Sequence, residues 1–372
     1  MYKLDRVGPS QALHAANVRP LAPQKQFSTE PDPLGFFGFP THTFIWQDQE
    51  KLDIGTLGGS DTFASADCGN QHKGVVVGQS TTTTTLNSDT GLPTADPFLW
   101  KNGRMTDLGT LGGTFGFAQC ANNHQQVIGS SSLADNPAAC LLGGAGCHAF
   151  LWTHGVMQDL GTLGGSNSEA IWLNEAGDIV GSADLPGENL HDAVLWRHGK
   201  IHDLGTVGSD ACSRGRGLNS RGQVVGGSSD CRNFLHAFIW EGGPMVDLNT
   251  LIPPDTGFQL TNAFNINDRG EILAKAAPVG FTPNDDADLG HLALLIPCEG
   301  DHQDCDDSEN VSVRGTSTDV TILRIPTIDK GSPRRVPSPS DSVAAWQAAL
   351  AHRYHVPFGW GTNVELPKSG ER

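Results

Sequence analysis

Short apolar runs recur along this chain at a nearly regular spacing, and polar turn residues separate them. The clearest unit is the stretch 148–165, HAFLWTHGVMQDLGTLGG, in which an apolar run ends at a tryptophan and a glycine turn leads into a second run. The tryptophans that end the equivalent runs are Trp46, Trp100, Trp152, Trp196 and Trp240. Their spacings are 54, 52, 44 and 44 residues, which defines the repeat.

Each repeat contains four short extended runs. Besides the HAFLW and DLGTLGG runs, one run ends in an asparagine or glycine turn and one is short and β-branched. The turn runs are 121–126, 173–178, 218–223 and 266–271, and the β-branched runs are 75–80, 127–131, 178–183 and 224–229. Four such runs separated by Gly, Asn and Asp predict four antiparallel strands in a meander.

A unit of four strands with this period has the length of one β-propeller blade. A single unit cannot bury its apolar face, so neighbouring units must stack. A β-helix would have a much shorter period, and an α-solenoid would show a 3.6-residue periodicity that is absent here. The sequence therefore predicts an all-β fold, a β-propeller of four-stranded blades with five complete repeats. The run at 42–46 is the remnant of another unit, so the ring has either five blades or six with an incomplete first.

The combination of HAFLW, a glycine turn, DLGTLGG and an IN-x-x-G-x-VVG run over about residues 42–298 resembles the HAF-repeat family of probable extracellular repeat proteins. This resemblance implies a secreted or surface-located bacterial protein of unassigned activity, and it brings no catalytic residues. The family pattern also implies a signal peptide and a complete first unit. Residues 1–41 show neither, because they lack an apolar core of 7–15 residues. A truncated, inactive paralogue is therefore one of the hypotheses.

Composition divides the chain into four regions. Residues 1–35 are polar and contain several prolines, which predicts a disordered or extended lead-in. The repeat domain is predicted at 36–310, and a Ser/Thr/Pro-rich linker at 311–340. Residues 341–372 are expected to form a short C-terminal helix and tail, and the apolar face of the helix docks on the propeller or on a partner.

The formal net charge of −17 argues against nucleic acid and anionic membrane surfaces as partners, because both favour clusters of Lys and Arg. No stretch is apolar enough to predict membrane insertion. We expect a monomer without a cofactor, whose partner is a glycan or a protein.

Eight cysteines with local pairs suggest an oxidising, extracellular compartment. The local pairs favour disulfides of Cys140 with Cys147, Cys212 with Cys231, and Cys298 with Cys305, although eight cysteines allow 105 pairings and the sequence does not fix the connectivity. Cys68 and Cys120 occupy nearly equivalent positions in consecutive units, so they either pair across blades or remain buried thiols. No CxxC spacing is present, and no metal ligand is assigned.

The residue before each AFLW-like run is His or Asp in every unit: His42, Asp96, His148, Asp192, His236 and His291. Such a ring is compatible with a metal or a general acid–base set. Because it occurs once per unit, a structural hydrogen-bond network with the tryptophan and the DLG aspartate is the favoured interpretation. The DLG aspartates themselves are expected to bind backbone amides at strand ends. Acidic loops at 284–288 and 301–307 suit weak Ca²⁺ ligands but are favoured as solvated loops.

Arg214 and Arg216 break the repeat pattern, because other units have small residues there. One hypothesis places them in the axial channel as contacts for an anionic group such as a uronate. The other makes them surface arginines near Cys212. Insertions at 81–96, 133–147 and 275–290 all lie between the β-branched run and the next HAFLW run, so they should cluster on one rim, which in repeat proteins is often the binding face.

These observations predict a secreted or cell-surface β-propeller that acts as a binding or interaction scaffold for a glycan or a protein. The alternative is an enzyme, a polysaccharide lyase or hydrolase with its site in the central channel. No GxSxG elbow or Ser, His and Asp set is present, and no catalytic residue is assigned.

Overall fold

A computed structural model describes most of the chain between residues 26 and 325. The described residues are 26–31, 41–47, 50–65, 74–88, 91, 93–142, 144–187, 190–254, 256–280, 291–297, 312–314 and 319–325. Their regular secondary structure is β, apart from one short helix, α1 (Ala139–Leu142), and a 3-10 turn at Leu248–Thr250. The predicted all-β fold class is confirmed.

The described strands form six successive sheets, numbered here in chain order. Sheets 1 to 3 consist of β1 (Gln26–Pro31), β2 (Thr41–Gln47) and β3 (Glu50–Asp53); β4 (Thr62–Ala64), β5 (Val75–Leu86), β6 (Pro93–Lys101) and β7 (Arg104–Asp107); and β8 (Gly112–Ala121), β9 (Val127–Leu133), β10 (Cys147–Thr153) and β11 (Val156–Asp159). Sheets 4 and 5 consist of β12 (Ser168–Leu173), β13 (Ile179–Asp184), β14 (His191–Arg197) and β15 (Lys200–Asp203); and β16 (Cys212–Leu218), β17 (Val224–Ser229), β18 (Phe234–Trp240) and β19 (Val246–Asp247). Sheet 6 consists of β20 (Phe258–Ile266), β21 (Ile272–Pro278), β22 (His291–Pro297), β23 (Ser312–Arg314) and β24 (Asp319–Ile325).

The glycine turn after each HAFLW run is a tight β-hairpin. In sheet 4, Arg197 pairs with Lys200, and the two residues between them, His198 and Gly199, have φ angles of 51° and 72°. Positive φ at both central residues is the geometry of a type I′ turn, whose twist matches that of the flanking strands. A glycine at the second position adopts this conformation without steric cost, so the turn fixes the register of β14 and β15.

The boundary between blades differs from the one that the sequence predicts. The five complete repeats of the sequence each run from a DLGTLGG run to the next HAFLW run. In the structure, the DLG run is instead the fourth strand of the sheet that contains the preceding HAFLW run. For example, β15 pairs with β14, and sheet 5 begins only at β16. The physical reason is the two-residue hairpin, which leaves antiparallel pairing as the only arrangement for the runs that it joins.

Two regions outside the predicted repeat domain contribute strands. The strand β1 lies in the predicted lead-in of residues 1–35 and pairs with β2, from Gln26 opposite Trp46 to Pro31 opposite Thr41. The sequence predicts that the run at 42–46 is the remnant of an incomplete unit with no strand before it, and this prediction is wrong because β1 pairs with it. Likewise, β23 and β24 lie in the predicted linker of residues 311–340, and β24 runs parallel to β22. In both places a strand edge offers backbone donors and acceptors that a neighbouring extended segment satisfies. The predicted helix after residue 341 lies outside the described residues.

Apolar residues from consecutive sheets pack into shared clusters. Between sheets 4 and 5, Val180, Leu195 and Leu204 pack with Leu218 and Phe238, all of them buried. Similar clusters join sheet 3 to sheet 4 and sheet 5 to sheet 6. Each fully buried side chain of this size contributes about 1.5–3 kcal/mol. Because each sheet buries its faces against its neighbours in chain order, the arrangement is that of a β-propeller.

Asparagines at the turn after the first strand of a sheet connect sheets 3 to 6. The Nδ2 group of Asn122 donates to the backbone oxygen of Asn174 over 3.2 Å, Asn174 donates to Asn219 over 3.2 Å, and Asn219 donates to Asn267 over 3.0 Å. We call these four residues the asparagine chain. Each Oδ1 atom also accepts a backbone N–H four residues later, as from Gln223 to Asn219 over 3.0 Å. One side chain type thus closes the local turn and fastens the next sheet.

Two of the predicted disulfides lie in the described residues and are present. Cys140 is bonded to Cys147, with Cα atoms 4.8 Å apart, and Cys212 to Cys231, with Cα atoms 5.0 Å apart. Cys120 is also disulfide-bonded, and its partner lies outside the described residues. The predicted pair Cys298 and Cys305 lies outside them as well. The first two bridges hold the 133–147 insertion and the start of sheet 5.

We predict that replacing Asn219 by Ala lowers the free energy of unfolding by about 2–4 kcal/mol, because two backbone N–H groups and one backbone carbonyl lose their partner. The measurement is equilibrium denaturation in urea. The control is Asn123→Ala, an exposed asparagine whose side chain donates to the Glu175 carboxylate. Equal losses in the two variants would contradict a special role for the asparagine chain.

We predict that the double variant Cys212→Ser/Cys231→Ser loses about 3 kcal/mol of stability, and Cys140→Ser/Cys147→Ser about 2 kcal/mol. The disulfides span 19 and 7 residues in sequence, and a longer loop restricts the unfolded chain more. Thermal and urea unfolding of both variants and of the oxidised wild-type chain measure which variant loses more stability. The reverse order would show that loop length does not control these losses.

Candidate functional site

The His that precedes the AFLW run binds the DLG aspartate in sheets 1 and 3. The Nδ1 atom of His42 lies 2.7 Å from Oδ2 of Asp53, and Nδ1 of His148 lies 2.9 Å from Oδ2 of Asp159. Oδ1 of each aspartate accepts the backbone N–H two residues later over 2.8 Å. The structural interpretation of these two positions is therefore confirmed, and so is the predicted role of the DLG aspartates.

The tryptophan does not belong to this pair. In sheet 4, Nε1 of Trp196 donates to the backbone oxygen of Leu160 in the preceding DLG loop, over 2.9 Å. The bond therefore fastens one sheet to the next, instead of completing the predicted network of His, Trp and Asp.

Sheets 2 and 4 carry a pair of carboxyl groups at the same position. Asp96 is hydrogen-bonded to Asp107, and Asp192 to Asp203. Burial, together with the neighbouring carboxylate, raises the pKa of Asp96 to about 7 and that of Asp192 to about 8. Asp192 is therefore largely protonated at neutral pH and donates to Asp203.

The fifth sheet uses a different partner. Nδ1 of His236 lies 2.8 Å from Oδ2 of Asp210, in the loop before β16. Asp247, the residue that the repeat would pair with His236, instead accepts the backbone N–H of Asn249 and begins the 3-10 turn. The sequence could not reveal this exchange, since both aspartates lie at turns. The side chain of His291 lies outside the described residues.

The structure places both candidate arginines on β16, the first strand of sheet 5. The side chain of Arg214 reaches back to sheet 4, where its Nη2 atom lies 3.5 Å from Oε2 of Glu169. Only 11% and 7% of these two side chains are exposed. The guanidinium of Arg216, at a β-bulge, lies 5.3 Å from the ring centre of Phe234. The alternative that both are surface arginines is wrong for Arg214, because sheet stacking buries it.

Arg214 is the centre of a charged cluster, the Arg214 cluster, which also contains Glu169, Asp184 and His191. Burial, reinforced by the Arg214 cation, holds the pKa of His191 well below its usual range, so the imidazole is neutral. Burial raises the pKa of Asp184, although the Asn167 amide 2.9 Å away and Arg214 oppose it. Burial also lowers the pKa of Arg214 to about 10, which leaves it charged at neutral pH.

The Arg214 cluster is not repeated in other sheets. In the first strand of each sheet, one residue pairs with the repeat glycine of the second strand, or with Ala274 in sheet 6. The residue directly before it is Glu169 in sheet 4 and Arg214 in sheet 5, and it is Phe63, Phe117 and Asn262 in sheets 2, 3 and 6. The small residues expected there in other units are therefore absent. The repeat pattern alone does not single out Glu169, Asp184 and His191. Glu169 carries the same signal as Arg214, a charged residue where other units have an uncharged one. The partnership itself required the stacking of sheets 4 and 5.

The part of the chain that the structure describes contains no group of three or more His, Cys, Asp or Glu side chains that could hold a metal ion. The acidic loops at 284–288 and 301–307 lie outside it. No helix among the described residues is long and apolar enough to cross a membrane.

No family model and no curated protein matches the chain. The chain is similar to three solved structures at low identity. TolB from Acinetobacter baumannii matches with a TM-score of 0.39 and 10% identity, over 68% of this chain and 61% of TolB. An acylaminoacyl peptidase from Pyrococcus horikoshii matches with a TM-score of 0.36 and 15% identity, over 67% of this chain and 38% of the peptidase.

The β-propeller domain of the Trilobed protease from Pyrococcus furiosus matches with a TM-score of 0.25 and 11% identity, over 59% of this chain and 76% of that domain. The chain thus spans less than two thirds of TolB and of the peptidase. Similarity at this level says nothing about activity, and the propeller assignment rests on the sheets described above.

We predict that Asp192→Asn reduces the decrease in the free energy of unfolding that wild type shows between pH 4 and pH 8. The raised pKa of Asp192 means that its contribution is complete below about pH 4 and is lost as the pH rises through about 8. In that range the free energy of unfolding of wild type should fall by up to about 1.4 kcal/mol per pH unit relative to the variant. The amide of the variant would still offer a hydrogen-bond donor to Asp203, but it does not titrate. Urea denaturation at pH 5, 7 and 9 measures this, with the exposed Glu175→Gln as control. Parallel curves for wild type and Asp192→Asn would contradict the proton-sharing pair.

Proposed function

We propose that this chain is a secreted or cell-surface β-propeller of the HAF-repeat type that binds a glycan or a protein at the rim beside the Arg214 cluster. The repeat motifs over residues 42–298 support the family. The two disulfides in the described residues support an oxidising compartment. The propeller itself provides the scaffold.

The observation that carries the proposal is the position of the Arg214 cluster. Asp184 ends β13 and His191 begins β14, so both flank the connection at which the insertions occur in other units. Asn167 links the cluster to the disulfide-closed insertion, because it donates to Asp184 and its Oδ1 accepts the backbone N–H of Cys147 over 3.0 Å. Unrepeated polar side chains beside long loops are the usual setting of a binding site on a repeat scaffold.

A glycan array probed with the full chain, produced in an oxidising host, tests this function. We expect a set of structurally related glycans to bind. Asp184→Asn should weaken that binding roughly tenfold, the effect of removing one charged hydrogen-bonding group. The matched control is Glu175→Gln, in the turn between β12 and β13. This turn lies at the end of the strands opposite to the insertions, which we call the turn rim, and the variant should bind like wild type. Absence of binding by the folded wild-type chain would refute a glycan ligand and leave a protein ligand to be sought.

A second candidate function is a polysaccharide lyase or hydrolase. The observation that favours it is the juxtaposition, within the Arg214 cluster, of a carboxyl with a raised pKa and a neutral imidazole. A carboxyl whose pKa is raised beside an unprotonated imidazole is a combination that general acid–base catalysis uses. Incubating the chain with each polysaccharide that it binds, and analysing for cleaved products, separates the two functions. Binding without cleavage identifies a binding module.

A further inference from the structure

A cleft with a volume of about 260 Å³ opens on the opposite rim, at the turns between sheets 4 and 5. Arg197, at the end of β14, forms one side. The turn at 221–223 forms another, and Trp240 with the two residues that follow it completes the lining. The cleft therefore lies at the far end of the same two sheets that carry the Arg214 cluster.

Arg197 is held in place at the edge of this cleft. Its Nη2 atom lies 2.8 Å from Oδ2 of Asp178, which leaves its other guanidinium N–H groups available. The guanidinium covers Gly222, where any Cβ atom would collide with it, and the φ angle of +78° there also requires glycine. The first wall of the cleft is thus a positioned, partly exposed cation.

Arg221 supplies a second cation. Asn219 accepts its backbone N–H over 3.1 Å and fixes the turn, and its side chain lies over Gly270 of the next turn. Its guanidinium lies near the Asp268 carboxylate, whose pKa it helps to lower, but the two groups do not form a direct salt bridge like that of Arg197 with Asp178. Arg269, the equivalent residue of sheet 6, is instead paired with Glu271 over 2.6 Å. The nearby Glu241 is itself hydrogen-bonded to Gln223.

Trp240 adds an aromatic surface. It is only partly buried, and its indole Nε1 has no acceptor in the part of the chain that the structure describes. The equivalent Trp196 donates to Leu160 and is tied to the preceding sheet. Aromatic rings offer a flat apolar surface, and guanidinium groups pair with carboxylates in a fork geometry.

Among the described boundaries, the pair of arginines at the positions of Arg197 and Arg221 occurs only between sheets 4 and 5. At the boundaries of sheets 2 with 3, 3 with 4, and 5 with 6, the residues equivalent to Arg197 and Arg221 are Lys101 with His124, Thr153 with Ala176, and Glu241 with Arg269. Only the described boundary of sheets 4 and 5 places two arginines at these positions. Sheet 6 also has an arginine, Arg269, at the second position, so the feature that distinguishes this boundary is the pair of arginines and not either one alone.

We propose that this cleft binds a hexuronate unit of an acidic polysaccharide, with the carboxylate between Arg197 and Arg221 and the sugar ring against Trp240. The volume of about 260 Å³ lies just below the range of about 300–1,000 Å³ that is typical of small-ligand sites, so the cleft suits a single small unit. The two cations stand out in a chain with a net charge of −17, so an anionic ligand is held here by local contacts and not by the overall charge. The hexuronate site is separate from the proposed site at the Arg214 cluster. The inference rests on the proposed function only in assuming that the ligand of the chain is a glycan.

The test is titration of the full chain with methyl galacturonate, methyl galactose and acetate, followed by Trp fluorescence and calorimetry. We expect methyl galacturonate to bind at least tenfold more tightly than the other two. Arg221→Gln should weaken that binding at least tenfold. The matched control is Arg269→Gln, which changes the same turn position in sheet 6 and should bind like wild type.

Three results would overturn the proposal: equal binding of methyl galactose, equal binding of acetate, or equal effects of Arg221→Gln and Arg269→Gln. Both variants change exposed residues, and their unfolding curves show whether each is folded. If array binding of the wild type is lost in Asp184→Asn but unchanged in Arg221→Gln, the proposed function stands and the hexuronate site fails. The two proposals are therefore tested independently.

Discussion

The structure depends on the requirement that each of sheets 2 to 5 bury both of its faces against its neighbours. The asparagine chain shows how the sequence meets this requirement with one residue per unit. Oδ1 of Asn219 closes its own turn, and Nδ2 reaches the backbone of Asn267 in the next sheet. The bond from Trp196 to the preceding DLG loop acts in the opposite direction along the chain. Because both bonds connect backbone carbonyls to side chains of the adjacent unit, they set the spacing at which the apolar clusters can close.

The position before the AFLW run shows that one place in a repeat tolerates two kinds of proton-binding pair. His148 with Asp159 is an ion pair when the imidazole is protonated, and Asp192 with Asp203 shares a proton between carboxyls. The pKa values of His148 and Asp192 are both raised in the folded chain. Both contributions are therefore lost as the pH rises, although the histidine loses its share above its ordinary pKa of about 6.5 and the aspartate already above about 4. As the pH rises the two pairs therefore act in the same direction, whereas the lowered pKa of Asp159 also makes the His148 pair lose stability as the pH falls.

Unrepeated residues concentrate on sheets 4 and 5. At the insertion rim, Arg214 and Glu169 bring opposite charges together in a buried place, where leaving either one unpaired would be costly. At the turn rim, Arg197 and Arg221 flank a cleft; Arg197 forms a salt bridge with Asp178, whereas Arg221 lies near Asp268 without a direct salt bridge. The first arrangement is a buried ion pair, whereas the guanidinium groups of the second are partly exposed at the cleft. The uronate contact that the sequence suggested for Arg214 is therefore better placed at the other end of the same sheets.

The sequence by itself determined the period, the four-stranded unit, the glycine hairpins and two local disulfides, because these depend on residues close together in the chain. It also predicted the role of the DLG aspartates, whose partners lie two residues away. The tertiary structure decided what depends on stacking: the contact of Arg214 with Glu169, the exchange of Asp247 for Asp210 at His236, and the cleft between sheets 4 and 5. It also decided that strand edges recruit residues 26–31 and 319–325, which look like lead-in and linker. Such pairings join segments about twenty to fifty residues apart, and a repeat pattern does not encode which side chains meet across them.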